Sequence, residues 1–164
     1  MTVLETERLA LRRFRDEDAI AFDRWADNDE FQRHLGPRAP GRDNIARHDA
    51  HWAKHGFGIM AIEWRETGEI VGRCGPQYHR AWPDDPEVGW GVDPDWWGRG
   101  IATEAGRAAV DWAFNDLGFE RVVSITTEEN VPSRRVMEKL GFRLHTQLDW
   151  ERWHLWIHAL DRTP

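Results

Sequence analysis

The residues best placed to do chemistry form a glycine-rich turn, Pro94-Asp95-Trp96-Trp97-Gly98-Arg99-Gly100-Ile101-Ala102-Thr103, which the pattern sets between a strand and the first turn of a long helix. The chemistry of such a turn is anion binding. Free N–H groups at a helix start, with the positive end of the helix dipole, cradle phosphate, and glycine lets a pyrophosphate approach the main chain. Arg99 offers a charge-assisted contact. The spacing Gly98-x-Gly100-x-x-Thr103 lacks the third glycine of the dinucleotide fingerprint, and no Gly-Lys-Ser/Thr triplet exists for a P-loop. A turn without any ligand can use the same residues, so this signal alone leaves the ligand open.

Other reactive side chains point elsewhere. His48, His51 and His55 share a helical face, but Trp52 stands where a zincin has glutamate, so solvated histidines are expected and no metal. The single cysteine, Cys74, allows neither an internal disulfide nor a cysteine-based zinc site, and a reducing, cytoplasmic setting follows. A formal charge of -7 argues against general nucleic-acid binding, whose affinity comes from cations on phosphates. The charged opening Met1-Thr2-Val3-Leu4-Glu5-Thr6-Glu7-Arg8 is no signal peptide, and no apolar run reaches membrane-spanning length.

The elements that must position the turn are legible from periodicity. Leu9 and Leu11 alternate with polar neighbours in a first strand, Thr6 to Phe14, and Asp16 caps a helix to Asp27. Gly36, Pro37, Pro40 and Gly41 read as loop, and 43–54 as a second helix ended near Gly56. Strands 57–64 and 69–74 form a hairpin around Glu66-Thr67-Gly68, and 78–86 is a proline-rich loop. The strand from Glu87 to Val92 contains Gly89 and Gly91, which predicts a bulge or a close backbone approach. A long helix runs from Gly100 to Leu117, a β-branched strand from Arg121 to Thr127, and a helix from Pro132 to Leu140; two strands, 142–150 and 152–160, close the chain. The order is β-α-α-β-β-β-α-β-α-β-β, and 164 residues with 40% hydrophobic content suit one domain, 1–164.

A second block follows the strand after the turn: Asn130-Val131-Pro132-Ser133-Arg134-Arg135-Val136-Met137-Glu138-Lys139-Leu140-Gly141-Phe142. Together with the turn and with the opening Leu4-Glu5-Thr6-Glu7-Arg8-Leu9-x-Leu11-Arg12, it resembles the GNAT N-acetyltransferase superfamily, and the whole chain is similar to its RimJ/RimL branch. The resemblance implies an α/β (α+β) fold in which a mixed, mostly antiparallel sheet, flanked by about four helices, splays in the middle, between the strand ending at Val92 and the one ending at Thr127. It implies acetyl-CoA as co-substrate, with the main chain of Trp90, Gly91 and Val92 pairing with pantetheine and N–H groups from Gly98 to Thr103 holding pyrophosphate. Trp97 departs from the family pattern, where arginine or glutamine is common.

Acetyl transfer needs a neutral amine, a polarised thioester carbonyl and a proton for the leaving thiolate. By the resemblance Glu87 is the base, acting directly or through water, and the alternative is a solvated acid beside Pro86. Many members protonate the thiolate with a tyrosine where this chain has Met137; Ser133 resembles the serine that the RimJ/RimL branch uses instead, although a helix-start serine also bonds its own backbone. Asn130 is expected at the acetyl-pantetheine end or, alternatively, as a plain N-cap. An α-amine of pKa about 7.8 is roughly a tenth neutral at pH 7, and a lysine amine far less, which favours an N-terminal α-amine. A small-molecule amine such as a polyamine, aminoglycoside or amino acid is nearly as good an acceptor, and a non-catalytic acyl-CoA sensor is the competing class. Of eleven tryptophans, Trp25, Trp64 and Trp112 are assigned to the core, and Trp82, Trp90, Trp150 and Trp153 to the acceptor cavity. His154 and His158 flank Trp156 on one side of the last strand, in a core or interface role. The oligomeric state stays open between monomer and homodimer.

Overall fold

A computed structural model describes residues 3–34 and 38–163. Gly36 and Pro37 of the expected loop lie outside the described residues. In chain order the elements are β1 (Val3–Glu5), β2 (Leu9–Arg12), α1 (Ala19–Ala26), α2 (Asp29–Gln32), α3 (Gly41–His55), β3 (Met60–Trp64), β4 (Glu69–His79), β5 (Trp82–Val92), α4 (Ile101–Asn115), β6 (Arg121–Thr126), α5 (Val131–Leu140), β7 (Arg143–Trp150) and β8 (Trp153–Asp161). The eight strands form one sheet in the order β1-β2-β3-β4-β5-β6-β8-β7.

Every neighbouring pair is antiparallel except β5 and β6, which run parallel and share a single registered pair, Glu87 with Val123. Just past that rung the Ser124 hydroxyl donates to the Val88 carbonyl at 3.0 Å, a side-chain bond where the backbone ladder has ended. Beyond it the strands separate, which is the expected splay.

Both faces of the sheet are covered. On one, α4 and α5 bury Ile101, Ala105, Ala109, Trp112 and Met137 against Leu9, Ile62, Val71, Val88 and Val122. On the other, Phe22, Trp25, Phe31 and Ile45 from α1, α2 and α3 pack with Phe14, Ile59 and Ala61. Helix α4 is amphipathic at helical spacing, and α5 starts with Pro132 in its first turn and ends on Gly141 in the left-handed region, φ 93°.

Several expectations need correction. The first strand is two: β1 and β2 pair antiparallel around Thr6-Glu7-Arg8, because Glu104 of α4 accepts from the Thr6 hydroxyl at 2.6 Å and from the Arg8 backbone at 3.0 Å and fixes the reversal. Residues 16–18 make a 3-10 turn rather than helix, with Arg15 and not Asp16 at its N-cap; Asp18, its third residue, accepts from the Arg15 N–H at 2.8 Å while buried against Arg12. Helix α3 begins at Gly41, within the expected loop. Residues 78–86 are no loop: β4 and β5 continue to a tight turn at Arg80-Ala81. Trp82 pairs with His79 and Glu87 with Gln77, so the intervening stretch of β5, with Pro83 and Pro86, bulges out of the ladder and needs no N–H there. The bulge lies at that point and not at Gly89 or Gly91, whose register is regular.

Candidate active site

The glycine-rich turn follows β5 through Asp93. This buried carboxylate accepts from Asp95 N–H at 3.0 Å and starts the 3-10 turn Pro94–Trp96; its other oxygen accepts from the Trp25 indole at 2.9 Å and from Arg24 at 2.5 Å. The turn is thereby bolted to α1. The Trp97 indole donates to the Val92 carbonyl at 2.7 Å, so the residue that departs from the family pattern holds the turn against the end of β5.

Gly98 and Gly100 both adopt left-handed φ, 75° and 74°, and a side chain on either would be strained. Gly100 is the N-cap of α4 and has no side chain to cap it, so the N–H groups of Ile101, Ala102 and Thr103 stand without a side-chain partner at the positive end of a 15-residue helix. Arg99 is exposed, stacked over Trp96 with its guanidinium 4.5 Å from the ring, and makes no ion pair among the described residues. Free N–H groups, open glycines and an unpaired cation fit a pyrophosphate.

The split in the sheet lies beside this turn. Thr126, at the end of β6, and Trp156, its partner on β8, carry a buried hydroxyl and a buried indole N–H with no hydrogen-bond partner among the described residues. An orphaned hydroxyl on Thr126, whose strand borders the opening, suits an amide-bearing chain such as pantetheine. Trp90, Gly91 and Val92 continue β5 past its last pairing with β6, which leaves their main chain available on that side.

Glu87 occupies the final shared rung. It is 7% exposed, and Gln77, its cross-strand neighbour on β4, donates to it at 3.1 Å. It is therefore not a solvated strand-start acid. Along the same face of β5 come Gly89 and Gly91, with Gly75 and Arg73 opposite them on β4. Gly89 leaves the strand bare beside Glu87, whereas the Phe31 ring of α2 covers Gly91, 3.1 Å from where its Cβ would stand, next to Arg73.

At the N-terminus of α5 the Asn130 side chain accepts from Ser133 N–H at 3.3 Å, so Asn130 caps the helix and its amide nitrogen is the group left for a ligand. The Ser133 hydroxyl makes no hydrogen bond among the described residues. Met137 is fully buried, and Arg134 stacks over Trp156 at 4.6 Å.

A sequence model described as an acetyltransferase (GNAT) domain matches residues 8–143. The chain belongs to the GNAT acetyltransferase family. It is an N-acetyltransferase, and GNAT acetyltransferases use acetyl-CoA. The N-acetyltransferase YoaA of Bacillus subtilis (strain 168) is 31% identical over 150 residues, 86% of this chain and 82% of that protein. The solved acetyltransferase of Agrobacterium tumefaciens str. C58 superposes with a TM-score of 0.87 at 29% identity, over 99% of this chain and 95% of that one. RimL, a ribosomal alpha-N-protein acetyltransferase solved in complex with coenzyme A, superposes with a TM-score of 0.80 over 98% of each chain at 14% identity, a likeness of fold.

Within this acetyltransferase some residues stand apart from their expected places. Trp90 is not in the acceptor cavity: it lies on the opposite face of β5 from Glu87 and packs against Gly106 of α4. Trp82, Trp150 and Trp153 group around Val123, Leu155 and Ile157. Trp25 and Trp112 are core, and Trp64 is half-buried under Arg8. The histidines of α3 are not solvated: His48 is buried against Phe14, and His51 bonds the Phe57 carbonyl at 2.8 Å and accepts from Tyr78 N–H at 3.0 Å. His158 is buried beside Trp156, while His154 is exposed and bonded to Asp149 and Gln147. Asp93 and Arg73 went unremarked in the sequence. Asp93 had a signal, an acid before proline at a turn start; Arg73 had none, since it reads as one more polar residue in an alternating strand.

Proposed function

We propose that this acetyltransferase moves the acetyl group of acetyl-CoA to a primary amine by direct attack, with Glu87 as base and Ser133 as proton donor to the departing thiolate. What chiefly supports the reading is Glu87: a buried carboxylate with one partner, on the last rung before β5 and β6 separate, beside the bare strand at Gly89.

When bound, the coenzyme supplies an acetyl thioester with a good thiolate leaving group. Gly98 to Thr103 and Arg99 hold its pyrophosphate, and the main chain of Trp90 to Val92 pairs with its pantetheine arm. The Asn130 amide steadies the acetyl end. Glu87 takes a proton from the incoming ammonium, directly or through water, so that the amine nitrogen bonds to the carbonyl carbon as the carbon–sulfur bond breaks. The free Ser133 hydroxyl protonates sulfur as it leaves and is reprotonated, through solvent, by the second proton that the nitrogen sheds in becoming an amide. Both a peptide α-amine and a small-molecule amine fall within this reading. A cytoplasmic setting suits the lone buried thiol of Cys74, and among the described residues no helix is long and apolar enough to cross a membrane.

The experiment is coenzyme A thiol release from acetyl-CoA with a panel of peptides, polyamines, amino acids and aminoglycosides. Burial pushes the Cys74 thiol up to about 12, so the folded protein contributes little thiol background. Acceptor-dependent release establishes the reaction; tight coenzyme binding with no release from any amine refutes it.

A further inference from the structure

Arg73 is a cation left unpaired by the described residues. It projects from the middle of β4, half-buried, and among the described residues it makes neither a hydrogen bond nor an ion pair. Burial, and then the nearby Arg47, hold its guanidinium down to about 10. Its charge also reaches the buried ring of His48 on α3. A guanidinium withdrawn in part from water without a partner costs free energy, and a chain with net charge -7 has acids enough to have paired it.

Glu87 is an acid whose charge reaches it, and the two form no ion pair. They stand beside two glycines of β5. A Cβ on Gly91 would stand 3.6 Å from Arg73 Nε, and a Cβ on Gly89 would stand 3.7 Å from Glu87 Oε1. Gly89 and Gly91 are two residues apart on one strand, about 7 Å. An α-amino acid hydrogen-bonded at both ends reaches about 9 Å from one protein partner to the other, enough to join groups that stand beside those two positions. A polyamine would meet Arg73 with a like charge, and a peptide N-terminus would bring it an uncharged amide.

Resting on the acetyl-transfer reading above, we infer that the acceptor is a free α-amino acid, its carboxylate held by Arg73 and its amine presented to Glu87. Arg73 is a binding residue for the acceptor. Gly89 determines specificity by leaving room beside Glu87, and Phe31, packed on Gly91, bounds it next to Arg73. Charge-assisted, bidentate geometry is what a guanidinium offers a carboxylate and an ammonium does not, so lysine is a poor substitute.

The test compares acetylation of L-amino acids with that of the matching L-amino acid amides, which keep the side chain and the amine but lose the carboxylate. An amide's amine is the less basic of the two, so intrinsic reactivity at neutral pH favours the amide; a preference for the acid therefore reports recognition. The expected kcat/KM ratio is roughly 10- to 100-fold in favour of at least one acid over its amide, carried by KM. Arg73→Met should abolish that ratio by raising KM for the acid alone, and Arg73→Lys should restore it in part. Equal or better turnover of amides by the unaltered protein, or an Arg73→Met variant that loses acid and amide alike, overturns the carboxylate. Turnover of peptides or polyamines with no turnover of any amino acid overturns it too, and leaves acetyl transfer standing. No turnover of any amine, with acetyl-CoA bound, overturns both.

Discussion

Gln77 and Glu87 face each other across β4 and β5 and are joined side chain to side chain, Nε2 to Oε2 at 3.1 Å. The amide holds one carboxylate oxygen and leaves the other, Oε1, towards Gly89. Glu87→Gln preserves shape and removes the base. Steady-state kinetics should show kcat reduced roughly 100- to 1000-fold, with acetyl-CoA affinity by calorimetry unchanged. A variant that keeps its kcat would assign deprotonation to solvent.

Ser133 is expected to act late in the reaction. Its hydroxyl has no partner within the described protein, so Ser133→Ala removes no existing bond and should leave stability within about 0.5 kcal/mol. Turnover should fall about tenfold or more while the dissociation constant of acetyl-CoA stays put. Turnover at the unaltered rate would hand the thiolate's proton to water.

Gly100→Glu tests the pyrophosphate turn. A side chain at φ 74° costs about 1–2 kcal/mol, and its Cβ would meet only the tip of Arg8, so the fold should survive. The new carboxylate would stand against the bound phosphates. Calorimetry should detect no coenzyme binding; an affinity like that of the unaltered protein would remove the turn from the coenzyme site.

His48 makes the fold acid-labile. Burial, with a smaller push from Arg73, holds its ring down to about 3 against an ordinary 6.5. Above pH 6.5 the ring is neutral folded and unfolded and contributes no dependence. Between 6.5 and 3 the unfolded chain binds a proton that the folded chain refuses, so stability falls with pH, by about 2–3 kcal/mol at pH 4.5. Urea unfolding of His48→Phe should lose that share of the slope between pH 6.5 and 4.5. An unchanged slope would place the acid sensitivity elsewhere.

The parts of the acetyltransferase legible in the sequence are those in which local pattern and tertiary role coincide. Helix α4 reads from its own apolar spacing, and the turn before it reads from Gly98 and Gly100, because left-handed φ demands glycine whatever surrounds it. Trp82 to Pro86 failed because prolines exclude a residue from a ladder but not from a bulged strand. The break between β1 and β2 failed for a different reason, since what forces it is Glu104, nearly a hundred residues away. Arg73 is the extreme case. Its meaning lies in the absence of a partner, and no spacing along a chain records an absence.

The rung at Glu87 and Val123, with the single bond from Ser124 to Val88, is all the registered pairing that joins β1–β5 to β6–β8. A sheet that ends its own ladder midway has two extra edges inside the molecule. Until the coenzyme fills the gap, this seam is the line along which the protein should breathe, with amides of β6 exchanging ahead of those of β3. Bound as proposed, acetyl-CoA would act as a missing strand as much as a reagent: it should raise the melting temperature with the logarithm of its concentration, and stiffness across the seam would become a property of the loaded enzyme alone.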